Sequence, residues 1–140
     1  MPTGTRLFAY GSLMFPEVWL HVVGRQRPST PAELSGHTAF TVAGYSFPGL
    51  VPAGADALAP GRLYSGLDGE DWRKLDAFED TFYRREVVVV TGENGQTHQA
   101  EAYLVMPDHR DVLSEVEWGA EWFAEHALAD FLDRICGFET

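Results

Sequence analysis

With 140 residues, 45% of them hydrophobic and 22% charged, the chain is long enough to bury a core in one domain and has the make-up of a globular protein. Its acids outnumber its bases 21 to 10, and the formal charge of −11 argues against nonspecific nucleic-acid binding and against docking on anionic lipid. An anionic small molecule would have to be held by local donors, against the sign of the overall field.

Thr5–Tyr10, with Leu7, Phe8 and Tyr10, predicts a first strand that Gly11-Ser12 breaks. Pro16 favours the first turn of a short helix through Val23, with Gly24 as its stop. Pro28 to Pro31 reads as a loop and His37–Ala43, β-branched and aromatic, as a strand. Gly44–Gly61, rich in glycine, proline and alanine, is expected to be irregular apart from short extended pieces, and Arg62–Tyr64 to complete a strand ending near Gly66. Asp68-Gly69-Glu70-Asp71 gathers acids where a helix N-terminus favours them and opens a helix to about Asp80.

Tyr83–Thr91 is the clearest strand, and its four consecutive valines suggest burial on both faces. Glu93-Asn94-Gly95-Gln96 supplies hairpin turn chemistry, and the returning strand Thr97–Met106 is stopped by Pro107-Asp108. The pattern then predicts a long helix over about Val116–Ile135, with Trp118 and Trp122 in the core. Cys136, the one cysteine, excludes an internal disulfide, fits a reducing compartment and reads as a small buried hydrophobe.

No repeat, low-complexity tract or linker divides this order, so a single domain over residues 1–140 is expected. Several strands with few helices, and no regular βαβ alternation, predict an α+β fold. Its mixed, mostly antiparallel sheet would curl into a barrel flanked by the helices. The N-terminus lacks a basic segment followed by an apolar run of signal length, and no stretch of about 18 apolar residues offers a membrane span. The expected location is therefore cytoplasmic.

Two segments carry most of the chemistry. In the turn Tyr10-Gly11-Ser12-Leu13, glycine permits close backbone approach, and successive N–H groups can form an anion-binding nest. An ordinary strand-ending turn is the alternative. Ser12 lacks the Gly-x-Ser-x-Gly context of a nucleophile. On a wheel of about 100° per residue, Trp72, Leu75, Glu79, Phe82 and Tyr83 share one helical face, which centres Glu79 in an apolar stripe. Burial there would raise its pKa toward the range of a general base. A structural ion pair with Arg84 or Arg85 is equally compatible, and Glu125 passes the same periodicity test. The five histidines show no paired ligand spacing, so no metal site is expected, and neither a Walker loop nor a dinucleotide fingerprint is present.

Taken in order, these segments resemble the γ-glutamylcyclotransferase-like family, in particular its AIG2-like branch. The resemblance is carried by Phe8-Ala9-Tyr10-Gly11-Ser12-Leu13, Tyr45-Ser46-Phe47-Pro48-Gly49-Leu50, Gly61-Arg62-Leu63-Tyr64, Leu75-Asp76-Ala77-Phe78-Glu79 with Tyr83-Arg84-Arg85, and Glu117-Trp118-Gly119-Ala120-Glu121-Trp122-Phe123. It implies that Glu79 is the catalytic acid/base and that Tyr10, Gly11, Ser12 and Leu13 form the substrate loop. Tyr83 would be a pocket residue, with Tyr103 a weaker candidate. The family commonly has glycine after this glutamate, where the present chain has Asp80. A small-molecule γ-glutamyl substrate would cyclise on its own α-amine to 5-oxoproline and release an amine or amino acid, with no metal or organic cofactor. A noncatalytic small-metabolite-binding or stress-response protein on the same fold is the alternative. Neither the leaving amine nor the oligomeric state is legible.

Overall fold

The computed structural model describes residues 5–44, 48–79 and 82–137. Among these, eight strands run β1 (Leu7–Ala9), β2 (Ser29–Ser35), β3 (His37–Val42), β4 (Pro48–Pro52), β5 (Leu58–Tyr64), β6 (Tyr83–Gly92), β7 (Thr97–Val105) and β8 (Leu113–Glu117). The helices are α1 (Pro16–Val23), α2 (Gly69–Phe78), α3 (Ala120–His126) and α4 (Leu128–Gly137). The strand order β1-β5-β2-β6-β7, closed by a parallel β1–β7 pairing at Leu7↔Glu101, makes a five-stranded mixed barrel. β4, β3 and β8 extend the sheet from β7. The predicted α+β barrel is the observed architecture.

Alternation along the strands sorts the side chains into two cores. Phe8, Leu34, Leu50, Leu63, Val90 and Leu104 pack in one cluster. Leu7, Trp19, Tyr64, Trp72 and Leu75 pack in the other, with α1 and α2. Trp19 is fully buried and stacks on Tyr64 with centroids 3.7 Å apart and planes 6° apart. Burying an indole of that size contributes roughly 4–6 kcal/mol before the entropy of ordering it is counted.

Local signals explain the two well-predicted helices. α1 spans Pro16–Val23 and ends on Gly24 at φ +85°, a conformation that costs glycine nothing. α2 opens with a capping box between Asp68 and Asp71, each side chain accepting from the other's backbone N–H. Asp71 is fully buried and also accepts from Arg25 Nε at 2.9 Å and Arg27 Nε at 2.8 Å, while Arg25 forks onto Asp68. This cluster clamps the N-terminus of α2 to the segment that follows α1.

Three expectations fail, each for a nonlocal reason. The Pro28–Pro31 loop is largely strand: β2 pairs with β5 from Ser29 onward. Pro31 is tolerated because β6 joins β2 only from Ala32, so the proline occupies an edge position. The short extended pieces allowed within Gly44–Gly61 are β4 and the first half of β5, where Pro60 lies beyond the reach of β1. The four valines are not buried on both faces: Val90 is in the core, but Val87 and Val89 are 62% and 58% exposed. The long C-terminal helix is instead β8, α3 and α4. Ala127 breaks it at φ −133°, and β8 takes the first residues to pair with β3. Trp118 is half-buried against Phe123, while Trp122 is 54% exposed and stacks on His126 rather than entering the core.

Candidate active site

The site grows from an irregularity in β7. One edge of β7 pairs with β6 along its whole length. The other edge is shared, meeting β1 at Glu101 and β4 at Leu104. At Tyr103, between these two bridges, the backbone carbonyl accepts the Tyr10 hydroxyl at 2.6 Å. The Leu50 backbone N–H of β4 bonds back to that hydroxyl. Tyr10 thus fills the fork with its side chain.

Immediately after Tyr10 the chain lies on β4. A Cβ at Gly11 would come within 2.8 Å of the Pro48 ring, so only glycine fits. Ser12–Met14 forms a 3₁₀ turn closed by Met14 N–H on the Gly11 carbonyl at 2.9 Å. The N–H groups of Gly11, Ser12 and Leu13 therefore stand at the start of the turn, the end where helical bonding leaves donors over. Ser12 and Leu13 are buried, and the Leu13 carbonyl accepts from the Tyr64 hydroxyl at 2.8 Å.

Glu79 differs from its predicted setting. The helix ends at Phe78, and Glu79 is its C-cap, in extended conformation with its N–H on the Leu75 carbonyl. Phe82 and Tyr83 belong to the strand side of the turn, so the apolar helical stripe does not carry the glutamate. The half-buried Glu79 nevertheless faces the expected company. Burial holds the Tyr10 hydroxyl well above its ordinary value, with Tyr83 and then the Glu79 carboxylate adding to the rise. Burial likewise raises Tyr103, followed by Asp76 and then Glu79. The two phenols thus report the same carboxylate within electrostatic reach. Tyr83 donates its hydroxyl to the Pro48 carbonyl, completing the ring of groups.

Asp76 is the residue that periodicity missed. It accepts the Tyr103 hydroxyl at 2.6 Å and pairs with Arg85 at 3.2 Å. Arg85 also pairs with Glu101 at 3.2 Å and lies 4.4 Å over the Trp72 ring. Arg84 pairs with Glu86. The signal was present in Leu75-Asp76-Ala77-Phe78-Glu79, one helical turn before the glutamate, but nothing local reveals its partner.

Tyr10, Gly11, Ser12, Leu13, Tyr83 and Glu79 are thus assembled from β1, β6 and the end of α2 around β4 and β7. Glu125 is exposed on α3. Tyr45, Ser46, Phe47 and Asp80, and the side chain of Cys136, lie outside the described residues. Among the described residues no three His, Cys, Asp or Glu side chains gather as a metal site. A cavity of about 470 Å³ lined by Leu34, Arg84, Glu86, Val88 and Leu104 includes none of the site residues named above.

The tyrosines make the fold sensitive to alkali. Tyr64 is pushed up to about 12 by burial, against the opposing charge of Arg62. Tyr10 and Tyr103 are also raised. Above pH ~10 the unfolded chain has released these protons and the folded chain has kept them, so stability falls as pH rises, by up to about 1.4 kcal/mol per pH unit for each phenol. Urea unfolding between pH 8 and 11.5 should therefore show a steep loss of stability. A phenolate absorbance that titrates smoothly near 10 with unchanged urea midpoints would contradict this.

A family profile described as "Gamma-glutamyl cyclotransferase, AIG2-like" matches residues 7–122. The chain is 32% identical to the AIG2-like protein C of Arabidopsis thaliana over 128 residues, 90% of this chain and 73% of that protein. Among solved structures, an Arabidopsis thaliana protein determined in solution superposes with a TM-score of 0.70 at 24% identity, covering 93% of this chain and 87% of the other. A structure named "Gamma-glutamyl cyclotransferase" shares the fold at a TM-score of 0.63 and 14% identity, with coverages of 94% and 85%.

Proposed function

The chain belongs to the gamma-glutamyl cyclotransferase, AIG2-like family, and from that premise we propose that it converts a γ-glutamyl amine or γ-glutamyl amino acid to 5-oxoproline and the free amine. The observation that carries the reading is the Glu79 carboxylate within electrostatic reach of Tyr103 and of Tyr10, the residue that leads into the Gly11–Leu13 turn.

The substrate supplies its own nucleophile. Its α-amine nitrogen attacks the γ-carbonyl carbon, closing a five-membered ring, and the bond from that carbon to the leaving nitrogen breaks. Folding the substrate into this approach supplies much of the acceleration. Glu79 takes the proton that the attacking nitrogen sheds and returns it to the leaving nitrogen, so no net proton is consumed. The N–H groups of Gly11, Ser12 and Leu13 hold the substrate carboxylate or the developing oxyanion, local donors against the acidic field of the chain. Tyr10 and Tyr83 wall the pocket. The whole of residues 1–140 acts as one catalytic domain, in the cytoplasm.

The test is 5-oxoproline release from a panel of γ-glutamyl compounds whose leaving groups include amino acids, polyamines and the lysine ε-amine. Turnover of at least one is expected. Binding of panel members without release from any would instead identify a noncatalytic small-metabolite-binding protein.

A further inference from the structure

Between β2 and β6 the barrel has an open seam. β6 pairs with β7 from Tyr83 to Thr91, but with β2 only at Ala32↔Gly92 and Glu33↔Thr91. The end of β2 is tied instead to the β4–β5 connection. Gly36, which turns the chain from β2 into β3 at φ +73°, donates its N–H to the Ala57 carbonyl and accepts from the Ala53 N–H, both at 2.8 Å. The cavity of about 470 Å³ opens along this seam, a volume in the range of small-molecule sites. Leu34, Val88 and Leu104 are its apolar floor, Val87 and Val89 its flank, and Arg84, Glu86 and Arg110 its charged groups. Alternation along β6 and β7 puts this floor on the reverse of the candidate active site. Tyr83 and Tyr103 pack with the α2 core, whereas Val88 and Leu104 belong to the other core.

Two observations point to what the cavity holds. Val87 and Val89 leave most of their apolar surface exposed at its edge. Its charges, moreover, do not cancel. Arg84 pairs with Glu86 at 3.4 Å, while Arg110, exposed on the turn after β7, has no ion pair among the described residues. In a chain of formal charge −11, an uncompensated guanidinium beside an apolar cleft is a local exception. We propose that this cleft is a second small-molecule site, for a monocarboxylate with an aliphatic tail. Arg110 receives the carboxylate through charge-assisted hydrogen bonds, and the tail covers the flanking valines above Leu34, Val88 and Leu104. One unpaired guanidinium matches one negative charge. A doubly charged head finds no second cation, since Glu86 already engages Arg84, and an alkylammonium meets Arg110 unopposed.

The test is titration of the isotope-labelled protein with hexanoate, with acetate, hexanol and hexylamine as comparisons, read from the amide NMR shifts of Leu34, Val88 and Leu104. Hexanoate is expected to saturate these shifts. Acetate lacks the tail and the other two lack the negative head, so each should bind at least ~10-fold more weakly. Arg110→Gln should weaken hexanoate by about 10-fold and leave hexanol unchanged, and Arg110→Glu should turn the preference to hexylamine. Because Arg110 is exposed on its turn, both variants keep the fold. No saturable shift with hexanoate, shifts centred on Gly11–Leu13 instead of the cleft, or equal hexanoate affinity in the wild type and R110Q would each overturn the proposal. The readout does not depend on 5-oxoproline release.

Discussion

Glu79→Gln is expected to lower kcat for 5-oxoproline release by about 10²–10⁴-fold, the range a positioned acid/base contributes. Glutamine fills the same space and retains a carbonyl acceptor, so substrate binding should change far less than turnover. What it lacks is a site that can take a proton from the α-amine and give it back to the leaving nitrogen. The substitution also removes a charge that raises Tyr10 and Tyr103, so both phenols should titrate at lower pH in the variant. Because Glu79 is a half-buried helix C-cap whose backbone bond to Leu75 survives, the urea midpoint should barely move. Steady-state kinetics with the best panel substrate supplies the measurement. Undiminished kcat would eliminate Glu79 as the proton shuttle.

Gly61→Ala is expected to destabilise the fold by about 3 kcal/mol, at the upper end for overpacking. The added Cβ would come within 2.4 Å of the Ala9 carbonyl oxygen and 2.8 Å of two Phe8 ring atoms. A long side chain could swing aside, but this carbonyl is main chain in the β1–β5 ladder, where Ala9 pairs with Arg62. Relief requires β1 to move off β5, and β1 carries Tyr10 and Gly11 into the site. Activity should therefore fall with stability, unlike the case of Glu79→Gln. Gly69→Ala is the matched control: nothing lies within 4 Å of its Cβ position, and alanine suits the first turn of α2. Urea midpoints that are equal for the two variants would refute the packing argument.

The parts of this molecule legible from sequence are those whose causes are local. Pro16 and Gly24 bracket α1, Asp68 and Asp71 cap α2, and Gly95 at φ +80° turns the β6–β7 hairpin. The parts misread depend on what lies across the sheet. Pro31 can sit in a strand only because β6 arrives one residue later. Val87 and Val89 look like core until the outer layer is seen not to cover them. For the candidate site, the residues were named through the family resemblance, while the periodicity argument put Glu79 on a helical face that ends one residue too early. Asp76 was invisible because its partner, Tyr103, is 27 residues away on β7.

The fork in β7 separates two kinds of constraint on the Tyr-Gly-Ser-Leu segment. Beside the β4 bridge at Leu50↔Leu104, the Tyr103 carbonyl accepts the Tyr10 phenol, which ties the chain that follows β1 to β7. Tyr10→Phe would remove that buried bond, and any larger residue at Gly11 would collide with Pro48. Architecture alone is thus sufficient to preserve this segment. At the α2 C-cap the helix is closed by the backbone N–H of Glu79 on the Leu75 carbonyl, a bond that any residue but proline can make. On the proposed mechanism, a descendant that lost its chemistry would keep the loop and drift at the position of Glu79, which makes that position the informative one for telling working relatives from retired ones.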